Sequence, residues 1–366
     1  MTAADLKKLP LEDLAVAASA RFGPFAGWSM PIQYPAGVMK EHQHTREHVG
    51  LFDISHMQLF EVSGPGAAEL LALACPLDPA ALDISQSKYT FFLNDKAGII
   101  DDLIVTRLSP ERYMVVANAG NAEIDEAHLK QLAAGFDCKV ERLDRVFLAI
   151  QGPQAADVLS RLGIETMPAT FMTGIEPGPG WFMSRSGYTG EDGFEIGLPE
   201  DTARALVDRL LKDERVIWVG LAARDSLRLE AGLCLHGQDI TPDIDPASAA
   251  LMWAIPKPVR EAGRFIGADA LKTIVAKGPL EKRVGLKPEG RQPVRGGAAL
   301  VDEAGKPVGR VTSGGFGPSA QHPVAMGYVA TPLAMPGTRV FADVRGTRVP
   351  VDVCALPFTP HRYRKG

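Results

Sequence analysis

Apolar positions recur every three or four residues in some stretches of the chain and crowd into short β-forming runs in others; the switches between the two mark its elements. Leu11 to Arg21, with Leu11, Leu14 and Ala18 on one side, predicts a helix, as do Val38 to His48, Ile124 to Ala134, Asp201 to Leu211 and Leu221 to Glu230. Phe22 to Tyr34 (FGPFAGWSMPIQY) mixes glycine and proline with large aromatics and reads as a packed loop. Val49 to Met57 leads into a strand at Gln58 to Val62. Tyr89 to Leu93, Ile99 to Arg107 and Tyr113 to Ala117 then form an antiparallel meander, joined by the turn signals Asn94-Asp95-Lys96-Ala97-Gly98 and Ser109-Pro110-Glu111. Trp181 to Ser186 and Gly193 to Leu198 are strands around the turn Tyr188 to Asp192. From Val284 onward, short β segments punctuated by glycine predict a small all-β barrel or sandwich, and Ala254 to Arg283 reads as the linker before it.

One pattern occurs twice. Gly64-Pro65-Gly66-Ala67-Ala68-Glu69-Leu70-Leu71 and Gly152-Pro153-Gln154-Ala155-Ala156-Asp157-Val158-Leu159 each follow a strand, with proline where a first helical turn begins.

Within this framework two acidic positions are out of place. Asp101 and Asp102 interrupt the β-forming run Tyr89 to Val105 (YTFFLNDKAGIIDDLIV), and strand alternation sends them to opposite faces. A carboxylate leaving water needs hydrogen bonds or a partner, so one of the two is expected to line a cavity; an edge strand with both acids wet is the alternative. Glu195 lies between Phe194 and Ile196 in SRSGYTGEDGFEIGL, where it could accept two N–H donors from a planar heterocycle such as a pterin or purine, or pair with a surface lysine. Arg224 and Arg228 recur at helical spacing in GLAARDSLRLEAGLCLHGQDI, where an arginine could neutralise a buried glutamate. Arg228 with Asp225 or Glu230 could equally be a helix-surface ion pair. His42, His44, His48 and His56 do not combine with Cys or acids at a ligand spacing, so no metal site is expected. No nucleophile elbow, P-loop or dinucleotide-binding glycine pattern is present.

Composition narrows the classes further. The 366 residues carry a formal net charge of −5, which gives no global reason to bind nucleic acid. Their length predicts more than one domain. Cys75, Cys138, Cys234 and Cys354 are widely spaced and predict reduced thiols. No apolar run approaches ~18 residues, so no membrane span is expected. The N-terminal stretch mixes acids and bases without an apolar core, and a cytoplasmic protein is the expectation.

The motifs FAGWSMP at Phe25, GVMKEHQHTREHVGLFDISHM at Gly37, AGIIDDLIV at Ala97, SGYTGEDGFEI at Ser186, GLAARDSLRLEAGLCLHGQDI at Gly220 and VTSGGFGPS at Val311 together resemble the T-protein (aminomethyltransferase) family of the glycine cleavage system, in order and over nearly the whole chain. The resemblance implies an α+β chain of three domains in a cloverleaf around a central folate channel, closed by a C-terminal β-barrel-like domain. Residues 1–55 and 140–270 would form a discontinuous first domain, 56–139 an inserted second and 280–366 the third. It also implies a tetrahydrofolate-dependent transferase that takes an aminomethyl group from the lipoyl arm of an H-protein and releases 5,10-methylenetetrahydrofolate and ammonia, a reaction that needs no metal; no nucleic-acid or membrane partner is expected, on the charge and hydropathy already given.

By motif, the family's catalytic aspartate falls on Asp102, the pterin-binding glutamate on Glu195 and the arginine beside it on Arg224. Met57, Tyr89, Asn118 and Tyr188 match folate-channel positions, and Tyr363 a contact near the channel mouth. The chain departs from the family pattern at Ala97, where glycine is usual, at Gly317, where serine is common, at Ser248, usually glutamate, and in its opening helix. These departures motivate one alternative, a folate-dependent demethylase of a small methyl donor on the same fold. A second is a non-catalytic folate-binding accessory protein for iron–sulfur maintenance, although Gly232-Leu233 precede Cys234 where that group has Lys-Gly.

Overall fold

The computed structural model describes residues 6–166 and 170–365. The first five residues, part of the N-terminal stretch considered above, lie outside that range. Two antiparallel sheets form the centre. One has six strands in the order Thr173–Ile175, Phe182–Arg185, Gly193–Leu198, Val146–Gln151, Val49–Asp53 and Val216–Trp218, the last pairing parallel with its neighbour. The other has five, in the order Ser87–Leu93, Ile99–Ser109, Arg112–Ala117, Gln58–Ser63 and Lys139–Leu143. Segments on either side of the second sheet in sequence thus meet in the first.

Strand alternation explains how the sheets stack. In Val146–Gln151, Leu148 and Ile150 face one way, into a core completed by helices Ala155–Arg161 and Glu200–Leu210. Phe147 and Ala149 face the other way and meet Leu59, Met114 and Val116 of the second sheet. That sheet's far face packs Phe60, Val105 and Val115 against helices Ala67–Ala74 and Ala122–Ala133. The layers therefore run helix, sheet, sheet, helix, and Val146–Gln151 is buried along its whole length because both its faces are covered.

The C-terminal part closes into a six-stranded barrel, from Glu281–Pro288 to Thr347–Cys354, filled by Leu286, Val311, Ala325, Val329, Val340 and Val353 among others. The expected α+β chain ending in a β-barrel is what the structure has, with closure settling barrel over sandwich. The expected meander and the helix at Leu221–Glu230 are present too.

Two expectations are corrected. Phe22 to Tyr34 is no loop: Arg21–Phe25 and Trp28–Gln33 pair as a hairpin across Ala26 and Gly27, whose φ angles of 49° and 81° suit a two-residue hairpin turn. Gly23 and Pro24 obscured the strand because they are tolerated in so short a sheet. Ala254 to Arg283 is no linker either. It holds helices Lys257–Ala262 and Ala268–Lys277, and buries Phe265 and Leu271 in a cluster with Phe91, Leu93, Ile99 and Tyr328 that joins the second sheet to the barrel.

The repeated glycine–proline pattern marks two equivalent strand-to-helix turns, with each proline just ahead of its helix. Gly64 and Gly152 have φ of 118° and 134°, and a Cβ there would stand 2.8 Å from the Asp137 carbonyl oxygen and 2.1 Å from that of His48. Only glycine fits both places.

Candidate active site

Asp102 is organised by the end of the meander. A β-bulge between Phe92 and Leu93, opposite Ile100, disturbs the pairing just before the two acids. Their Cβ atoms alternate, yet both carboxylates reach one side chain: Asn118 Nδ2 donates to Asp101 Oδ1 at 3.0 Å and to Asp102 Oδ1 at 2.9 Å. Asp102 Oδ2 accepts from the Tyr89 hydroxyl at 2.9 Å. Burial first, and the adjacent Asp101 charge second, push the Asp102 carboxyl up to about 6, against the lowering effects of His236, Tyr89 and Asn118. Asp102 is half-buried whereas Asp101 is fully buried, so Asp102 is the member of the pair within reach of a substrate.

Beneath Asp102 lies a shell that sequence reasoning missed. Asp101 Oδ1 accepts from Asn121 Nδ2 at 2.7 Å and Oδ2 from the Asn118 backbone N–H at 3.0 Å. His236 lies 3.1 Å from the Ile99 carbonyl through Nε2, which makes that nitrogen the donor and leaves Nδ1 to accept from Asn121 at 2.9 Å. Asp125, on the helix Ala122–Ala133, is fully buried against Asp101, and burial followed by the Asp101 charge pushes it up to about 10. The usable signal was helical: Asp125 sits at an inward position beside Ala122 and Leu129.

The second group forms around the turn Ser186 to Asp192. Gln151 holds this turn through Nε2 to the Ser186 carbonyl at 3.0 Å and by accepting from Thr189 Oγ1 at 2.8 Å. Glu195, 6% exposed, accepts from Ser186 Oγ at 2.8 Å, and Ser184 Oγ lies 2.7 Å from Ser186 Oγ. Arg224 is buried with its guanidinium 4.9 Å from the Tyr188 ring centroid; burial lowers its pKa and the Glu195 charge works the other way. Tyr188 lies within electrostatic reach of both groups. Its hydroxyl donates to the Cys234 carbonyl, and the Asp102 charge is among the influences on its raised phenol pKa, after burial and Arg228.

Of the residues expected from the sequence, Asp102, Tyr89 and Asn118 are therefore in direct contact, and Tyr188 and Arg224 stack on one another. Glu195 is near enough for its charge to act on the Arg224 guanidinium. Met57 immediately precedes the strand Gln58–Ser63, whose first residue pairs with Ala117, the neighbour of Asn118 in sequence. Tyr363 has other company: it stacks on Phe171 at 3.8 Å, in a C-terminal segment anchored by the Arg362 N–H to the Gly190 carbonyl at 2.8 Å.

Arg228 corrects the sequence reading. It is 1% exposed and, besides Asp225, binds Asp239 at 2.7 Å and Ser313 of the barrel at 2.9 Å. Glu230 pairs elsewhere, with Arg46 and His42, both at 3.1 Å. Among the described residues no group of three or more His, Cys, Asp or Glu side chains could hold a metal ion.

Comparison with known proteins identifies the family. The family described as "GCVT N-terminal domain" matches residues 11–258, and "Glycine cleavage T-protein C-terminal barrel domain" matches residues 281–359. The chain belongs to the glycine cleavage T-protein family. The mitochondrial aminomethyltransferase of Gallus gallus is 42% identical over 371 residues, which cover 98% of this chain and 94% of that protein. That of Flaveria pringlei is 39% identical over 374 residues, 99% of this chain and 92% of that one. The crystal structure of the glycine cleavage system aminomethyltransferase T from Bartonella henselae superposes with a TM-score of 0.97 at 59% identity, covering 98% of this chain and 100% of that chain. As a T-protein the chain is an aminomethyltransferase, a transferase of one-carbon groups, and the family's reaction depends on tetrahydrofolate.

Proposed function

We propose that Glu195 and Arg224 grip the pterin of tetrahydrofolate while Asp102 faces the nitrogens that receive the one-carbon unit, and that the aminomethyl group arrives on the lipoyl arm of an H-protein. The observation that supports this reading is the stacking of Arg224 on Tyr188, with the Glu195 charge acting on that guanidinium and the Asp102 charge on that phenol, so that one tyrosine is within electrostatic reach of both groups. The donor set fits. A buried carboxylate suits the N–H edge of a heterocycle, and Arg224 balances its charge.

The chemistry asks for little more. The C–S and C–NH2 bonds of the aminomethyl thioether break, and two C–N bonds form to folate nitrogens. The two protons those nitrogens lose leave with ammonia and with the dihydrolipoyl sulfur. Asp102, with a pKa near neutrality, is suited to hold one of them in transit, and Tyr89 and Asn118 fix its orientation. Held substrates and excluded water supply the remainder. Met57 and Tyr363 stay in the proposal as folate contacts by motif, and the three-domain division at 1–55 with 140–270, 56–139 and 280–366 is likewise proposed. A cytoplasmic setting is proposed too, supported by four unbridged cysteines.

Neither alternative is favoured. The relatives are named aminomethyltransferases, and Cys234 is buried, with a thiol pushed up to about 12 by that burial, the opposite of a reactive cysteine. The test is ammonia release from lipoylated H-protein loaded with methylamine. Release that requires both this chain and tetrahydrofolate supports the proposal, and no folate-dependent release overturns it.

A further inference from the structure

Three buried polar atoms on three different side chains have no hydrogen-bond partner in one place: Asp53 Oδ2, His56 Nδ1 and Arg224 Nη1. Their residues are 5%, 2% and 8% exposed, and all three line the same small cavity, roofed by Met30, Phe52 and Val219. Its volume is about 10 Å³, close to the ~10–15 Å³ that one water molecule needs. A buried polar atom left unmatched destabilises the fold, so three on residues lining one void call for a common partner.

The chemistry of the lining selects that partner. Asp53 spends Oδ1 on the Ser55 N–H at 3.0 Å and the Ser55 hydroxyl at 2.5 Å, leaving Oδ2 as a free acceptor. Burial, and after it the Arg224 charge, hold His56 down at about 3, so its ring is neutral and Nδ1 can accept. Arg224 can only donate. A cation would face the guanidinium, an anion would face the Asp53 carboxylate, and an apolar group would leave all three atoms unmatched. A molecule that accepts once and donates twice satisfies every one of them.

We propose that a single structural water sits in this cavity, accepting from Arg224 Nη1 and donating to Asp53 Oδ2 and His56 Nδ1, and that it makes His56 and Asp53 positioning residues for Arg224. The strand Val49–Asp53 and the turn after it thereby fix the guanidinium against the Tyr188 ring and toward Glu195. The positioning role rests on the pterin-binding reading above; the water site does not.

The test has a structural arm and a kinetic arm. A crystal structure of the ligand-free protein is expected to show one solvent peak within hydrogen-bond distance of the three atoms. An empty cavity, a direct Asp53–Arg224 contact or density for a metal ion would overturn the site. His56→Leu, which removes one acceptor, is expected to raise the KM for tetrahydrofolate about tenfold, the scale of one buried hydrogen bond, with kcat within about threefold. His56→Gln, which restores an acceptor, is expected to recover most of that loss. An unchanged KM in a folded His56→Leu protein, or failure of His56→Gln to rescue, would overturn the positioning role. A parent protein that shows the peak but binds no tetrahydrofolate would sink the folate reading and with it the positioning role, while upholding the water site.

Discussion

Asp125→Asn isolates what the carboxyl pair beneath Asp102 costs the fold. Asp125 is fully buried, neither of its oxygens meets a donor, and its neighbour Asp101 is another acid, so like charges so close cannot both be ionised. The native state thus keeps a proton, with the carboxyl near 10, that the unfolded chain releases above pH ~4. A folded pKa above the unfolded one gives stability that is complete below pH ~4 and declines as pH rises toward 10. At pH 7 the unfolded carboxyl has been passed by ~3 pH units at ~1.4 kcal/mol each, a cost of ~4 kcal/mol. That figure is insensitive to the exact folded value, because any value well above 7 gives the same result. Asparagine has the same shape, can donate N–H to Asp101 and does not titrate. Denaturant midpoints measured at several pH values between ~5 and ~8 are expected to show Asp125→Asn gaining on the parent by ~1.4 kcal/mol per pH unit. A difference that stays constant across that range would refute the retained proton on Asp125, as would an infrared carboxylic-acid band of the parent at neutral pH that survives the substitution unchanged.

Other outcomes follow from the same geometry. Arg228→Ala leaves Asp239, 0% exposed, without its cation at the junction of helix and barrel. A loss of ~3–5 kcal/mol in chemical denaturation is expected, and paired replacement of Arg228 and Asp239 by apolar residues should recover much of it. If Asp102 works as a carboxylate, kcat should fall as pH drops through about 6, where burial and the Asp101 charge place its protonation. A kcat that stays flat down to pH ~5 would show that the ionised form is not required.

What the sequence disclosed depended on how local the signal was. The meander and the helix at Leu221–Glu230 were legible because their apolar spacing is their own. The hairpin at Arg21–Gln33 was hidden by Gly23, Pro24 and Pro31, which count as breakers in a long strand but not in a short one. The helices between Lys257 and Lys277 were lost to their lysines and to the flanking glycines Gly263, Gly267 and Gly278, although Phe265 and Leu271 carry the packing. Ala97 shows the converse: the resemblance expected glycine there, and the structure supplies the reason in a φ of 65°, which this chain meets with alanine.

At the site, the sequence marked Asp101, Asp102 and Glu195 as acids out of keeping with their surroundings, while the choice of Asp102 over Asp101 and the role of Arg224 came from the family resemblance. The partners that set their chemistry come from elsewhere in the chain. Asn121, Asp125 and His236 surround Asp101 from a helix and a distant loop, and Arg228 looked like a surface residue because its buried partners, Asp239 and Ser313, lie beyond its own helix. No periodicity encodes such contacts.

Asp102→Asn, assayed for H-protein-dependent turnover and for tetrahydrofolate binding on the same preparation, tests the account most directly. Because the amide keeps an oxygen for Tyr89 but cannot take a proton, kcat is expected to fall by ~10²–10⁴ while the folate dissociation constant moves by less than about threefold. Equal losses in both, or turnover that survives the substitution, would contradict the role assigned to Asp102.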